Sequence, residues 1–310
     1  MEIFYGIENF NIAEKDNTCV TVGTFDGLHI GHKVIINTLI KTAKENGLKS
    51  VVLTFDPHPR QVLFPEHPLN LILTPNEKIE AFKNTGIDIL VIHPFNKEFA
   101  SKTCFEFMKN ILTEKLKMRY LISGFNNHFG CDRLSDPKTL IEYGKKLSFK
   151  IQKIDAKIEN GISASSTLIR ESLLKGDIEF ASKILGYKYY ITGIVEKGRQ
   201  IGTKIGFPTA NISADSKGKL LPYPGAYIAD IEIDNSIYHA MVNVGNNPTI
   251  SSENIVTVEV NILNFNQDIY GKKVKVFFYK KIRNEIKFNS ISQLQEALFN
   301  DKKTVEKYFG

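Results

Sequence analysis

The sequence predicts two domains: an α/β domain on a parallel sheet, then a small antiparallel β-barrel closed by a terminal helix. Three observations carry this. In the first half, apolar strand-like runs alternate with helically spaced segments, the pattern of a parallel sheet with helices on both faces. Near Gly186 the style changes to short, evenly spaced alternating strands, as in a small barrel. The chain has 310 residues, a length that suits about two domains. We place the division between residues 185 and 186.

The elements follow in order. "CVTVGTF" reads as a strand buried on both faces. In "KVIINTLIKTAKENG", Val34, Ile35, Thr38, Leu39 and Thr42 fall near helical spacing, and Gly47 lies just past the end. "SVVLTFD" is the next strand, followed by a loop, "PHPRQ". "PNEKIEAFKNTG" is a helix with proline in its first turn and glycine after its end. "IDILVIHPF" is strand, "CFEFMKNILTEKLK" helix and "RYLISGF" strand; "DPKTLIEYGKKL" and "FKIQKI" repeat the pattern. "SSTLIRESLLKGDIEFASKIL" closes this half as helices. Beyond it, "GAYIADIEI", "IYHAMVNVG", "VTVEVNIL" and "KKVKVFFYKKI" read as strands, with Asp234-Asn235 as a hairpin turn. The last helix starts near Ser290, and Gln293 three residues on suggests a capping box.

Composition narrows the function. Hydrophobic residues make up 42% and charged residues 24%, an ordinary soluble balance. The net charge of +6 suits anionic ligands such as nucleotides, but Lys and Arg form no long block, so a nucleic-acid tail is not favoured. Cys19, Cys104 and Cys131 are odd in number and widely spaced. That argues against a disulfide framework or a structural zinc and for a reducing cytoplasm. "MEIFYGIENFNIAEKD" is too acidic and interrupted for a signal peptide, and no apolar run is long enough to cross a bilayer. A monomer that engages neither nucleic acid nor membrane is the default expectation.

Two stretches carry chemistry. "GTFDGLHIGH", residues 23–32, joins a strand to a helix. Its paired histidines admit three readings: a metal site, a phosphate site or ordinary solvated side chains. A helix N-terminus attracts phosphate through its free N–H groups and dipole. Gly23, Gly27 and Gly31 would let backbone approach phosphate closely, and His29 and His32 would donate hydrogen bonds. No third ligand of the H-E-x-x-H kind lies nearby for zinc. The second stretch, "GIVEKGRQIGTKIGFPTANI", is punctuated by Gly198, Gly202 and Gly206, and such a loop suits a nucleotide. Thr209 and Asn211 add hard oxygens two residues apart, as magnesium prefers. A plain flexible loop remains the competing reading.

The string G-T-F-D-G-x-H-x-G-H resembles the adenylyltransferase module of bacterial bifunctional riboflavin kinase/FAD synthetases, a branch of the H-x-G-H nucleotidyltransferases. "FDPHP" resembles that family's flavin-side loop, "SGFNNHFG" its G-x-[DN]-F-x-F-G, and "SSTLIR" its S-S-T-x-I-R. "GFPTAN", "LPYPGAYIADI", "VNVGNNPTI", "VEVNILNFNQDIYGKKVKVFF" and "IRNEIKF" resemble its riboflavin kinase module in order and spacing. Asn127 stands at an aromatic position, Asn261 where His is common, and "EKGRQIGTK" lacks the usual His-Gly start.

The resemblance implies a Rossmann-like nucleotidyltransferase domain over 1–185 and a riboflavin kinase barrel over 186–310. It implies riboflavin phosphorylated to FMN with release of ADP, and FMN adenylylated to FAD with release of pyrophosphate, both from ATP with Mg²⁺. By the same resemblance His29, His32, Arg170 and Glu259 are catalytic, with Glu259 as general base. Gly23, Phe25, Gly31, Asn126, Ser166, Thr167, Gly198, Gly206 and Pro208 face ATP. Asp26, Phe55, Pro57, His58, Pro59 and Arg283 face the flavin, and Thr209 and Asn211 hold the metal. Two rival readings are an enzyme with one live activity and a flavin- or nucleic-acid-binding regulator on the same scaffold.

Overall fold

The structure is a computed structural model. It describes the chain except residues 68, 126–128, 133–135, 156–157, 160–161, 199–201, 203–204, 215–217 and 248–254. The chain forms two compact units, Met1–Ala164 and Ser165–Gly310.

The first unit opens with β1 (Glu2–Tyr5), an edge strand that the sequence reading did not find. β2 (Thr18–Val22) leads to α1 (Ile30–Glu45), and β3 (Lys49–Phe55) to α2 (Pro59–Leu63) and α3 (Pro75–Lys83). β4 (Ile89–His93) precedes α4 (Lys97–Ala100) and α5 (Cys104–Glu106). β5 (Met118–Gly124), α6 (Pro137–Leu147) and β6 (Lys150–Ile154) follow, then a small hairpin of β7 (Ile158–Glu159) and β8 (Ile162–Ser163). The main sheet has the order β1-β4-β3-β2-β5-β6, and every pairing is parallel. β2 is buried along its whole length, as its unbroken apolar run requires. The chain leaves β2 for β3 and β4 on one side and later lays β5 and β6 on the other. The loop after β2 therefore sits where strand order reverses, the place where open α/β sheets bind ligands.

Two local expectations are corrected. "PHPRQ" is not loop: Pro59 starts a helical turn capped by His58, whose backbone N–H donates to Gln61 Oε1. "CFEFMKNILTEKLK" is α-helical only at Cys104–Glu106 and continues as π-helix over Phe107–Lys115. The wider turn puts Phe107 and Leu112, five residues apart, into the core together with Met108.

The second unit begins with α7 (Ser166–Lys175) and α8 (Ile178–Leu185). β9 (Tyr190–Glu196), β10 (Ala210–Ala214), β11 (Gly225–Ile233), β12 (Ser236–Asn247), β13 (Ile255–Ile262) and β14 (Lys273–Asn284) close a barrel in the order β10-β13-β12-β11-β14-β9. Asp234 and Asn235 both take positive φ between β11 and β12, the backbone a two-residue hairpin demands. Tyr227, Ala229, Val242, Val244, Val258 and Val260 alternate with outward residues and are buried. α9 (Ile291–Phe309) packs on the outside of the barrel through Leu298, Val305 and Phe309. Ser290 caps it; Gln293 reaches back to Asn289 rather than Ser290, so the expected box closes one residue earlier. The sequence reading puts α7 and α8 in the first half, yet they lie within the second compact unit. There the backbone N–H of Tyr223 donates to the Leu173 carbonyl, and α8 contacts β14.

Candidate active sites

In the first unit the loop after β2 is unusual backbone. Phe25, Gly27 and Leu28 all take positive φ, which is costly for Phe and Leu. The distortion delivers His29 to the N-cap of α1. His29 Nδ1 accepts from the backbone N–H of His32, which leaves the proton on Nε2. The two rings stack with centroids 3.7 Å apart, and Phe25 packs edge-on against His32 at 5.2 Å. Gly31 also makes room for the His29 ring: a Cβ there would press on it at 3.1 Å. Gly23 likewise leaves room for the Phe25 ring.

Burial sets the charge of the pair. His29 is 5% exposed, and burial lowers its pKa to about 4 even though Asp26 opposes the shift. Burial, then His29 itself, holds His32 well below the ordinary histidine value. Both rings are neutral near pH 7. His32 Nδ1 is buried without a hydrogen-bond partner, a polar atom in reserve for a ligand.

Asp26 does not point at open space. Its carboxylate is 3% exposed and accepts from the backbone N–H groups of Ile72 and Leu73. These two bonds give Asp26 a framing role in the loop. Phe55 ends β3 and joins an aromatic cluster with Phe95 at 5.4 Å and Phe99 at 5.6 Å. The Asp56–Pro57 bond is cis. His58 caps α2 through Nδ1, which accepts from the Arg60 N–H, and Pro59 is the first helical residue. Phe95, Phe99 and the buried Lys78 escaped the sequence reading. One signal was available: Lys78 and Phe82 lie four apart, on one face of α3, and both are buried.

Ser166, Thr167 and Arg170 lie in the first turns of α7, in the second compact unit; Ser165, not Ser166, is the N-cap and accepts from the Leu168 N–H. Ser166 and Thr167 are the first two residues of that helix. Asn126 and Asn127 fall outside the described residues.

On the barrel, strand register assembles the second site. Glu259 on β13 lies directly opposite Asn211 on β10 and Asn243 on β12. All three alternate with buried Ile212, Val258, Val260, Val242 and Val244, so they share the outer face. Asn243 was not singled out as a site residue from the sequence. Asn261, on the same face as Glu259, is 7% exposed and donates from Nδ2 to the Pro208 carbonyl at 2.7 Å. The asparagine at a histidine position thereby fastens the loop that carries Thr209. Gly198 lies against the Asn211 side chain, where any Cβ would collide with the amide, and Gly202 lies beside the Phe207 carbonyl and Thr209 Oγ1. Gly206 takes φ +82 before Phe207. No group of three or more His, Cys, Asp or Glu residues that could hold a metal occurs among the described residues. Thr209 and Asn211 offer neutral hard oxygens only. That donor set fits magnesium arriving with a nucleotide, since the ion keeps waters and phosphate oxygens.

Arg283 meets the terminal helix. Its Nε and Nη2 donate to Asp301 of α9 at 2.8 to 3.1 Å, and Nη1 donates to the Asn284 carbonyl. The guanidinium clamps that helix to the barrel.

Together these features define a two-part protein of the nucleotide-handling class: a nucleotidyltransferase-like parallel sheet and a flavokinase-like barrel. The FAD synthetase family model matches residues 11–168 and the riboflavin kinase model residues 185–309. A bifunctional riboflavin kinase/FMN adenylyltransferase from Buchnera aphidicola subsp. Schizaphis graminum is 37% identical over 314 residues, covering 100% of this chain and 99% of that protein. One from Bacillus subtilis is 34% identical, covering 96% and 94%. A crystal structure described as a macrolide-efflux protein from Streptococcus pneumoniae superposes with TM-score 0.89 at 32% identity over 99% of both chains. That description speaks of the other protein; the likeness carries the fold. The chain belongs to the bifunctional riboflavin kinase/FMN adenylyltransferase family.

Proposed function

We propose that this chain makes FAD from riboflavin in two steps at two separate sites. We assign the adenylyltransferase to residues 1–185 and the kinase to 186–310. The family matches that end at 168 and begin at 185 support this division. At the barrel, riboflavin and ATP give FMN and ADP. Glu259 accepts the proton of the 5′-hydroxyl as its oxygen attacks the γ-phosphorus. Asn211 and Asn243 flank Glu259 on the neighbouring strands. Thr209 and Asn211 would hold Mg²⁺, which supplies charge neutralisation on the phosphates when bound.

At the paired histidines, an FMN phosphate oxygen attacks the α-phosphorus of ATP and pyrophosphate leaves. The neutral His29 donates from Nε2–H to the phosphate chain, and the start of α1 adds its dipole. Catalysis here is alignment and charge stabilisation with no covalent intermediate. Ser166, Thr167 and Arg170 contact the triphosphate, Arg170 through its forked guanidinium. Asn126 binds ATP in the same reading. The Phe55–Pro59 loop and its aromatic cluster receive the flavin. No helix among the described residues is long and apolar enough to cross a membrane. The unpaired cysteines support a reducing cytoplasm.

The observation that carries the reading is the stacked, neutral histidine pair at the strand-order reversal, in one chain with the Asn211–Glu259–Asn243 row. The test is chromatography of products from riboflavin, ATP and Mg²⁺ with purified protein. FMN followed by FAD is expected. FMN alone would remove the adenylyltransferase assignment and leave the barrel assignment standing.

A further inference from the structure

We propose that Lys78 is a positioning residue for the flavin substrate: its buried ammonium holds the end of β3, which carries the Phe55–Pro59 loop, and through the Thr54 hydroxyl fastens it to the Thr24 carbonyl of the nucleotide loop. The inference rests on the adenylyltransferase reading of this unit and adds a residue to it.

The geometry is specific. Lys78 on α3 is only 8% exposed. Its Nζ donates to the Phe55 carbonyl at 3.0 Å and to Thr54 Oγ1 at 3.3 Å. Thr54 Oγ1 in turn donates to the Thr24 carbonyl at 3.2 Å, so one hydroxyl joins the ends of β3 and β2. Burial lowers the proton affinity of Lys78, while Asp26 and then Asp56 raise it. Asp26 also raises that of His29 and accepts from Ile72 and Leu73, the run leading into α3. One cation thus holds the flavin loop through the Phe55 carbonyl and, through the Thr54 hydroxyl, the Thr24 carbonyl of the histidine loop.

A lysine of a surface helix ordinarily extends its head to water. This one buries its head, and burying a charge costs several kcal/mol before pairing offsets it. A methionine would pack beside Phe82 with no such cost. What the ammonium adds is a fixed distance between two loops, each carrying one reactant. In a reaction driven by alignment, that distance governs how well the flavin seats.

The test is steady-state FAD formation from FMN and ATP by the full-length chain carrying Lys78→Met. The KM for FMN should rise about tenfold, while the KM for ATP stays within about twofold. Riboflavin phosphorylation at the barrel should be unchanged. A merely structural defect lowers the active fraction, which reduces kcat and leaves KM alone. An unchanged KM for FMN overturns the proposal. Should Lys78→Met lose FAD formation altogether, Thr54→Val decides. It keeps the charge and removes the hydroxyl, so a rise of about threefold in the KM for FMN is expected, and no rise overturns the proposal. Wild-type protein that turns over no FMN overturns the underlying reading and this inference with it. Wild-type turnover with unaltered variants overturns this inference alone.

Discussion

His29 shows how a single residue combines capping, charge and chemistry. As N-cap it satisfies the His32 N–H; as a buried ring it stays neutral down to about pH 4. Its folded pKa lies below the unfolded value of 6.5, so the unfolded chain binds more protons between those limits. Stability from this residue is full above pH 6.5 and is lost as pH falls toward 4. The loss from pH 7 to 5 is about 2 kcal/mol from His29 alone. Urea unfolding of the first unit at the two pH values should show it. His29→Asn keeps a capping side chain without a titrating ring, and should flatten the slope; an equally steep slope would assign the pH dependence elsewhere. The sequence located both histidines, because H-x-G-H at a helix start is a local pattern. It did not indicate their stacking or neutrality, which depend on burial beside Phe25, itself packed on Phe82, and which hold despite the opposing charge of Asp26.

Elements tell a similar story one level up. Strands and capped helices were legible wherever their own residues decide them: Thr74 and Glu77 box the start of α3, and Asp136 caps α6. β1 was missed because four residues at a sheet edge carry too little pattern, and pairing with β4 alone defines it. The Arg283–Asp301 pair was not legible in the sequence, because strand alternation says nothing about a helix arriving later in the chain. That pair is 20% and 5% exposed at the side chains. Asp301→Ala would leave a largely buried guanidinium uncompensated and should cost the barrel on the order of 3 kcal/mol. Chemical denaturation followed by far-UV circular dichroism measures this; the chain contains no tryptophan to report it. An unmoved barrel transition would mean that α9 is held by Leu298, Val305 and Phe309 without help from the ion pair.

At the scale of the whole molecule, two sets of chemical groups carry the two proposed activities, which should separate by mutation. His32→Ala should abolish FAD formation and leave FMN formation intact. Glu259→Gln should block riboflavin phosphorylation while added FMN still becomes FAD. Loss of FMN formation in His32→Ala, or of FAD formation from added FMN in Glu259→Gln, would refute two independent sites. By itself the sequence determined the two-domain architecture, the parallel and antiparallel halves, and the motifs at their loops. Each is written in local periodicity, caps and short strings. Only the tertiary structure decided that α7 and α8 belong to the second compact unit and that Glu259 faces two asparagines. Only it showed Asn261 fastening Pro208, Asp26 bonded to the run before α3, Arg283 paired with Asp301, and Lys78 buried at the end of β3. Those facts depend on register, burial and contacts between residues far apart in the chain, and no short stretch of sequence encodes them.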